Sequence, residues 1–423
     1  MHSRTRESTA LVALFALLTV AVTWPLAANP NELLGRIAEP GEPFRIGDAA
    51  KAVGYLARGT RSIETGGSLW ELVLSDTRVH APPGYVFVGS WLARLLGSPI
   101  LAHNAILFVC VFLSFACMYG FVRHLTQDRV AALFAAMMFG TANQVIHSAL
   151  YGHLNQIQIF WFPLGFWALE RILEAPSWRS GAALGAVLGS VALWVAHFAV
   201  FLGVLLPLYG LLRAPRRVFS LDVTESLSVG AVVAISICGY YVLSFSAAGP
   251  VERTLAANLL YSMPGPLSLI DLDWHGHIGL VPLALALAAL FAPPGIALRG
   301  RVMGLAAVFV VSTAMALGPK SPFYPYSWFF EAVPAFNLMR TPVRFVYPAF
   351  AACVVLASFS IHWMHVKVSR PSTRRTLLAI AFAGSLLTVP LFGTTYAKRA
   401  LEPDAIWTVE IDTLPRYLEA MHR

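Results

Sequence analysis

Long apolar runs alternate along this chain with polar breaks, and the breaks are of two kinds. Crossing a bilayer takes about 20 mostly apolar residues in a helix. Runs of roughly that kind cover 8–28, 100–122, 130–147, 154–173, 181–195, 197–212, 226–245, 278–291, 302–317, 345–365 and 376–394. Eleven spans are therefore expected. The fifth and sixth are short, and whether 181–212 is one bent helix or two spans sets the sidedness of everything after it.

The first kind of break is short and basic: Arg123 and Arg129; Arg171 and Arg179; Arg213, Arg216 and Arg217; Arg299 and Arg301; Lys367, Arg370, Arg374 and Arg375. Lys and Arg accumulate in cytoplasmic loops. With a cytoplasmic N-terminus, every short basic break falls inside only if 181–195 and 197–212 are separate spans. The second kind then faces outward: the long loop 29–99, the turn 147–153, loops 246–277 and 318–344, and the tail 395–423. Within the first of these, 84–96 is apolar but too short to span, and the prolines before it, Pro82 and Pro83, block any helix continuing from the loop. It reads as an interfacial helix with Phe87 and Trp91 turned to lipid or to the roof of a cavity.

Composition agrees. Hydrophobic residues make up 57% and charged residues 12% of 423, with mean hydropathy +0.66. A soluble domain cannot bury that much apolar surface, so lipid must be the solvent. The fold class is all-α, a polytopic integral membrane protein with a single membrane domain over 1–423 and a helical first outer loop. Arg4 and Arg6 before the first apolar run resemble the start of a secretory signal, but the many later spans favour a retained first helix. The net charge of +8 resides in the inter-helix breaks, with no basic patch interleaved with aromatics, which argues against a nucleic-acid partner. Cys110, Cys117, Cys238 and Cys353 all lie inside apolar runs, without CxxC spacing, and read as packing residues.

Candidate chemistry gathers in the outward breaks. Gly47-Asp48 in the first loop suggests a turn presenting a carboxylate, able to act as general base or to hold a leaving group through a metal. From the motif alone Asp48 reads first as the N-cap of a helix beginning at Ala49. Glu64, Glu71 and Asp76 in the same loop read as solvated surface acids. His153 and Gln156 open the fourth span three residues apart, where helix-start N–H groups favour an anion such as a lipid phosphate. His80, in the first loop, is grouped with them as substrate-binding. Asp271, Asp273, His275 and His277 alternate in a way that suits Mn or Zn, the basis for a possible divalent metal. Arg340 and Arg344 bracket a Pro-set turn on the outer side, against the positive-inside trend, and Arg offers bidentate bonds to phosphate.

With Gly47-Asp48, Tyr151-Gly152-His153-Leu154-Asn155-Gln156 and Leu338-Met339-Arg340-Thr341-Pro342-Val343-Arg344-Phe345 in this order, the chain resembles the bacterial polytopic membrane glycosyltransferases of the GT-C superfamily, particularly the YfhO-like and mannosyltransferase-like group. The resemblance implies transfer of a sugar from a polyprenyl-phosphate donor to a glycan, lipid or protein acceptor on the extracytoplasmic face of the bacterial inner membrane. It puts the base on Asp48, although the commoner paired-acid pattern is missing, since no second acid lies within two residues. Arg340 and Arg344 would meet the departing phosphate. The alternative is a non-enzymatic transporter or assembly factor for lipid-linked glycans. A transporter needs polar residues along mid-span, and the polarity here lies at the outer edge.

Overall fold

The computed structural model describes residues 2–24, 26–31, 48–75, 82–150, 152–247, 261–271, 276–291, 296–320, 325–333, 336 and 341–386. Among them every regular element is a helix: α1 His2–Val22, α2 Asp48–Glu64, α3 Leu69–Ser75, α4 Pro83–Leu96, α5 Pro99–Thr126, α6 Arg129–Gly140, α7 Asn143–Leu150, α8 Leu154–Ile157, α9 Trp161–Glu174, α10 Trp178–Trp194, α11 Ala196–Arg213, α12 Pro215–Val218, α13 Leu221–Ala247, α14 Leu280–Phe291, α15 Ile296–Ala316, α16 Pro325–Ala332, α17 Val346–Lys367 and α18 Pro371–Leu386. The chain divides into two compact units, 1–116 with 144–158 and 390–423, and 117–143 with 159–389.

The first unit holds α2, α3 and α4, the helices of the long loop 29–99. Phe15 of α1 stacks on Phe115 of α5 at 5.8 Å. Small residues let α2 and α4 meet closely: a Cβ on Gly89 would lie 2.5 Å from Leu56, and one on Gly59 would lie 2.0 Å from Ser90 Oγ. Helix α4 begins at the Pro pair, where the missing N–H costs nothing, and ends at Gly97 in the left-handed region, φ 69°. It buries Tyr85, Val86, Gly89, Ser90 and Ala93, while Val88, Trp91 and Leu95 stay exposed. Its aromatic pair separates: Trp91 is on the open face, whereas Phe87 meets Trp70 of α3 at 4.9 Å.

The second unit is built around α17. Every residue from Val346 to Ile361 is buried, because α6, α14 and α15 pack around it. A helix apolar on all sides belongs in such a centre. Beside it, α10 and α13 run parallel at backbone contact. A Cβ on Gly181 would lie 2.0 Å from the Ser226 carbonyl oxygen, and one on Gly185 would lie 2.2 Å from that of Gly230. Lipid supplies no hydrophobic drive between helices, so close backbone approach at small residues is what joins them.

Among the described residues five helices are long and apolar enough to cross a membrane, or six if α6 and α7 form one broken span. The protein is thus a multi-pass membrane protein, and several expected spans are interrupted or short. Segment 181–212 is two helices, parted at Val195. Segment 130–147 breaks at Thr141, whose Oγ1 donates to the Met137 carbonyl oxygen, 2.7 Å, and ends α6. Segment 154–173 breaks after α8, where the Gln158 amide donates to the Leu154 carbonyl oxygen at 3.0 Å. In both cases a polar side chain bonds to a backbone group of its own turn, and the helix stops there.

Candidate functional site

In the first unit the start of α2 and the Tyr151–Gln156 motif come together. Asp48 is the first residue of α2, and the next residue, Ala49, is buried. Gly152 lies across from it in the left-handed region, φ 61°, where a Cβ would fall 2.5 Å from Ala49 Cβ and 3.4 Å from His103 Nε2. Glycine is required there twice over, by the backbone angle and by the close approach. The turn is tied by the His153 N–H donating to the Ser148 carbonyl oxygen, 2.9 Å. The His153 ring stacks on that of His147, 6.1 Å between centroids with planes 6° apart. His153 and Gln156 are both half-buried.

His103 of α5 is the group that the sequence reading passed over. It is fully buried, with Nδ1 2.9 Å from the Tyr85 hydroxyl. Among the described residues its Nε2 is buried without a hydrogen-bond partner, as is the Ser148 hydroxyl in the Gly152 turn. Burial pushes the Tyr85 phenol well above its ordinary pKa. Tyr85 therefore stays a donor, and a neutral His103 accepting that bond carries its proton on Nε2. An ionisable side chain within an apolar span is itself the signal that points to such a residue. Next to it, Asn104 Nδ2 donates to the Pro30 carbonyl oxygen at 2.8 Å and anchors the chain where the long loop begins.

In the second unit Arg344 sits half-buried in the 3₁₀ turn Pro342–Phe345, which is fixed by the Val343 N–H donating to the Tyr261 carbonyl oxygen, 3.1 Å. Its charge acts on His197 and Tyr347. His197 opens α11, lies against Phe198 and Phe201, and has a buried Nε2 with no hydrogen-bond partner among the described residues. Phe345 continues the aromatic wall, 3.9 Å from Phe201. His197 was visible in the sequence only as a boundary between spans.

His80, Asp273, His275 and Arg340 lie outside the described residues, as does the side chain of Asp48. Asp271 is exposed, while His277 is buried with Nδ1 3.2 Å from the Asn143 amide. Among the described residues no three metal-ligating side chains come together. The Glu64 and Glu71 positions are exposed, as surface acids should be.

Away from these groups, Glu170 anchors a closed network. One oxygen accepts from the Tyr209 hydroxyl at 2.5 Å and Arg213 Nε at 2.9 Å, and the other from Arg301 Nε at 3.0 Å. Glu174 is held in turn by Arg301 and by His124, 3.0 Å.

No family model matches the chain, and neither does any curated protein. Solved structures do. The arabinofuranosyltransferase AftD from Mycobacteria is similar over 93% of this chain, with TM-score 0.59 and 13% identity. This chain spans only 27% of that protein's length. ArnT from Cupriavidus metallidurans bound to undecaprenyl phosphate is similar over 96% of this chain and 73% of its own, with TM-score 0.53 and 14% identity. The same ArnT in the apo state covers 91% and 74%, with TM-score 0.52 and 13% identity. The likeness shows the fold, which this chain shares with AftD and ArnT.

Proposed function

We propose that this protein is a glycosyltransferase that moves a sugar from a polyprenyl-phosphate donor to an acceptor hydroxyl on the extracytoplasmic face of a bacterial inner membrane. The observation that carries the reading is the convergence of α2's first turn, Gly152 and the open Nε2 of His103. Ala49, the residue after Asp48, and His103 both border Gly152, in a fold shared with transferases, one of them bound to undecaprenyl phosphate, and this supports the reading.

In this reading Asp48 takes the proton of the acceptor hydroxyl as its oxygen attacks the anomeric carbon. The new glycosidic C–O bond forms as the bond from that carbon to the lipid phosphate breaks, and the electron pair leaves with the phosphate. Arg340 and Arg344 stabilise the charge gathering there, and Arg344 suits the task because its fork binds two oxygens at once. His103, His153, Gln156 and His80 orient the sugar or the acceptor. The lipid is the leaving group, so an apolar chain must reach the site from the bilayer, and the exposed Trp91–Leu95 face of α4 suits that contact.

The decisive experiment incubates the purified protein with a panel of polyprenyl-phosphate sugars and measures released polyprenyl phosphate. Asp48→Asn keeps the side chain's size and capping ability, so the protein should fold. Its turnover should drop ~10²–10⁴-fold. An Asp48→Asn protein with wild-type turnover removes the base from this position. Sidedness is tested separately: cysteines at Thr65 and Ser321 should react with an impermeant thiol reagent from outside, and one at Ser372 should not. The native cysteines are buried or half-buried and give little background.

A further inference from the structure

Where α9 ends and α10 begins, the second unit has a cavity of about 520 Å³ lined by His124, Arg171, Glu174, Ser177, Arg179 and Ser180. Its charges do not cancel. The only carboxylate among these, Glu174, is already engaged by His124 at 3.0 Å and by Arg301. Among the described residues, Arg171 makes no side-chain hydrogen bond or ion pair, and Arg179 is engaged only in lying over the neighbouring Trp178 ring, 5.3 Å from its centroid. Two exposed guanidinium groups therefore flank one cavity, each with its donors to spare. The first turn of α10, capped through Ser177 and Ser180, adds its own positive end.

The surroundings are apolar rather than aqueous in character. Trp178 is 66% exposed. Because α10 and α13 run parallel from Gly181 against Ser226, the start of α13 lies at the same end, and there Phe219 is 76% and Leu221 73% exposed. A soluble anion would need the arginines but not these three side chains. Trp at headgroup depth, beside uncommitted Arg, fits a ligand with a phosphate at one end and hydrocarbon at the other.

We propose that this cavity binds the phosphate headgroup of an anionic phospholipid, with Arg171 and Arg179 as its ligands and Trp178, Phe219 and Leu221 against the acyl chains. The site is separate from the transfer chemistry and does not depend on that reading being right.

Native mass spectrometry of the purified protein, supplied with phosphatidylglycerol or with phosphatidylcholine, tests it whichever face the cavity occupies. The wild-type protein should keep phosphatidylglycerol adducts in preference. Arg171→Gln with Arg179→Gln should weaken retention about fivefold per arginine, roughly twenty-five-fold together, while Arg374→Gln with Arg375→Gln, at another basic break, leaves it unchanged. Equal retention by the Arg171/Arg179 double variant overturns the proposal. So does thermal protection by inorganic phosphate with no preference between the two lipids, which would make the ligand a soluble phosphate. Both residues are exposed, so the variant should melt with the wild type in phosphatidylcholine.

Discussion

The Glu170 network and the His103 pocket bury comparable polar chemistry in opposite ways. Around Glu170 both carboxylate oxygens are taken, by Tyr209 and Arg213 on one and Arg301 on the other. Around His103 one ring nitrogen is bonded to Tyr85 and the other is left open beside Gly152. A buried polar atom without a partner costs about 1–3 kcal/mol. A fold that closes one network completely has no structural need to leave the other open. In the proposed function the open one is where a substrate atom completes the set, which would make one a brace and the other a site.

The comparison breaks most visibly at Glu170. Removing the carboxylate leaves Arg213, 19% exposed, without its acid, and Arg301, 11% exposed, with Glu174 alone. Glu170→Ala should therefore lose about 3–5 kcal/mol of stability, read as a lowered melting point in detergent. Its surviving folded fraction should keep its turnover. A Glu170→Ala protein that melts with the wild type would mean the network braces nothing.

His103 should behave in the reverse sense. His103→Phe fills the same space, costs stability only through the lost Tyr85 bond, about 1 kcal/mol, and should lower turnover roughly 10²-fold. Tyr85→Phe breaks the same bond from the other side and serves as the control. It should match the stability loss while keeping most of the activity. Equal turnover losses in the two variants would make His103 a packing residue.

The smallest effect lies at a third polar cluster, intermediate between the two. Asp128 caps α6 through the Val130 N–H at 2.8 Å and receives His362 and His365 on its other oxygen, at 3.0 and 2.9 Å. Burial alone would raise its pKa, but the bonds from His362, His365 and Val130 outweigh it and hold the carboxyl below its ordinary value. A depressed acid gives stability that is present above its unfolded pKa, about 3.9, and lost as pH falls through its folded one. Melting points should hold from neutrality down to about pH 4 and fall below it as far as this group is concerned. Asp128→Asn should flatten that acid limb and keep the cap. An unchanged acid limb would show that the His bonds carry no stability.

The sequence made much of this architecture legible and hid the partners. The Pro82-Pro83 pair and Gly97 mark both ends of α4, and the sidedness of the short basic breaks on either side of 181–212 requires α10 and α11 to be two helices. Periodicity says which residues are apolar, and so it missed His103 and His197, single polar groups inside apolar runs. It also absorbed Glu170 into the end of a span, because the groups that neutralise it arrive from 39, 43 and 131 residues away. In the Asp271–His277 alternation, the one buried described member, His277, bonds Asn143, 134 residues distant. Contacts across such separations leave no local trace. The Thr141 and Gln158 breaks were hidden for a different reason: a single polar side chain turning on its own backbone barely alters the average hydropathy of a run.

The seam between α10 and α13 bears on how this protein's relatives are to be found. Gly181, Gly185 and Gly189 lie four residues apart along α10, and a methyl group on any of them would collide with α13. Leu, Val and Ile can exchange freely on the lipid-facing sides of both helices, so sequence drift there erases similarity quickly. At the seam no exchange is conservative. Descent in such a protein is recorded in a few glycines at fixed intervals, and a comparison that weights those positions should reach homologues that overall identity loses.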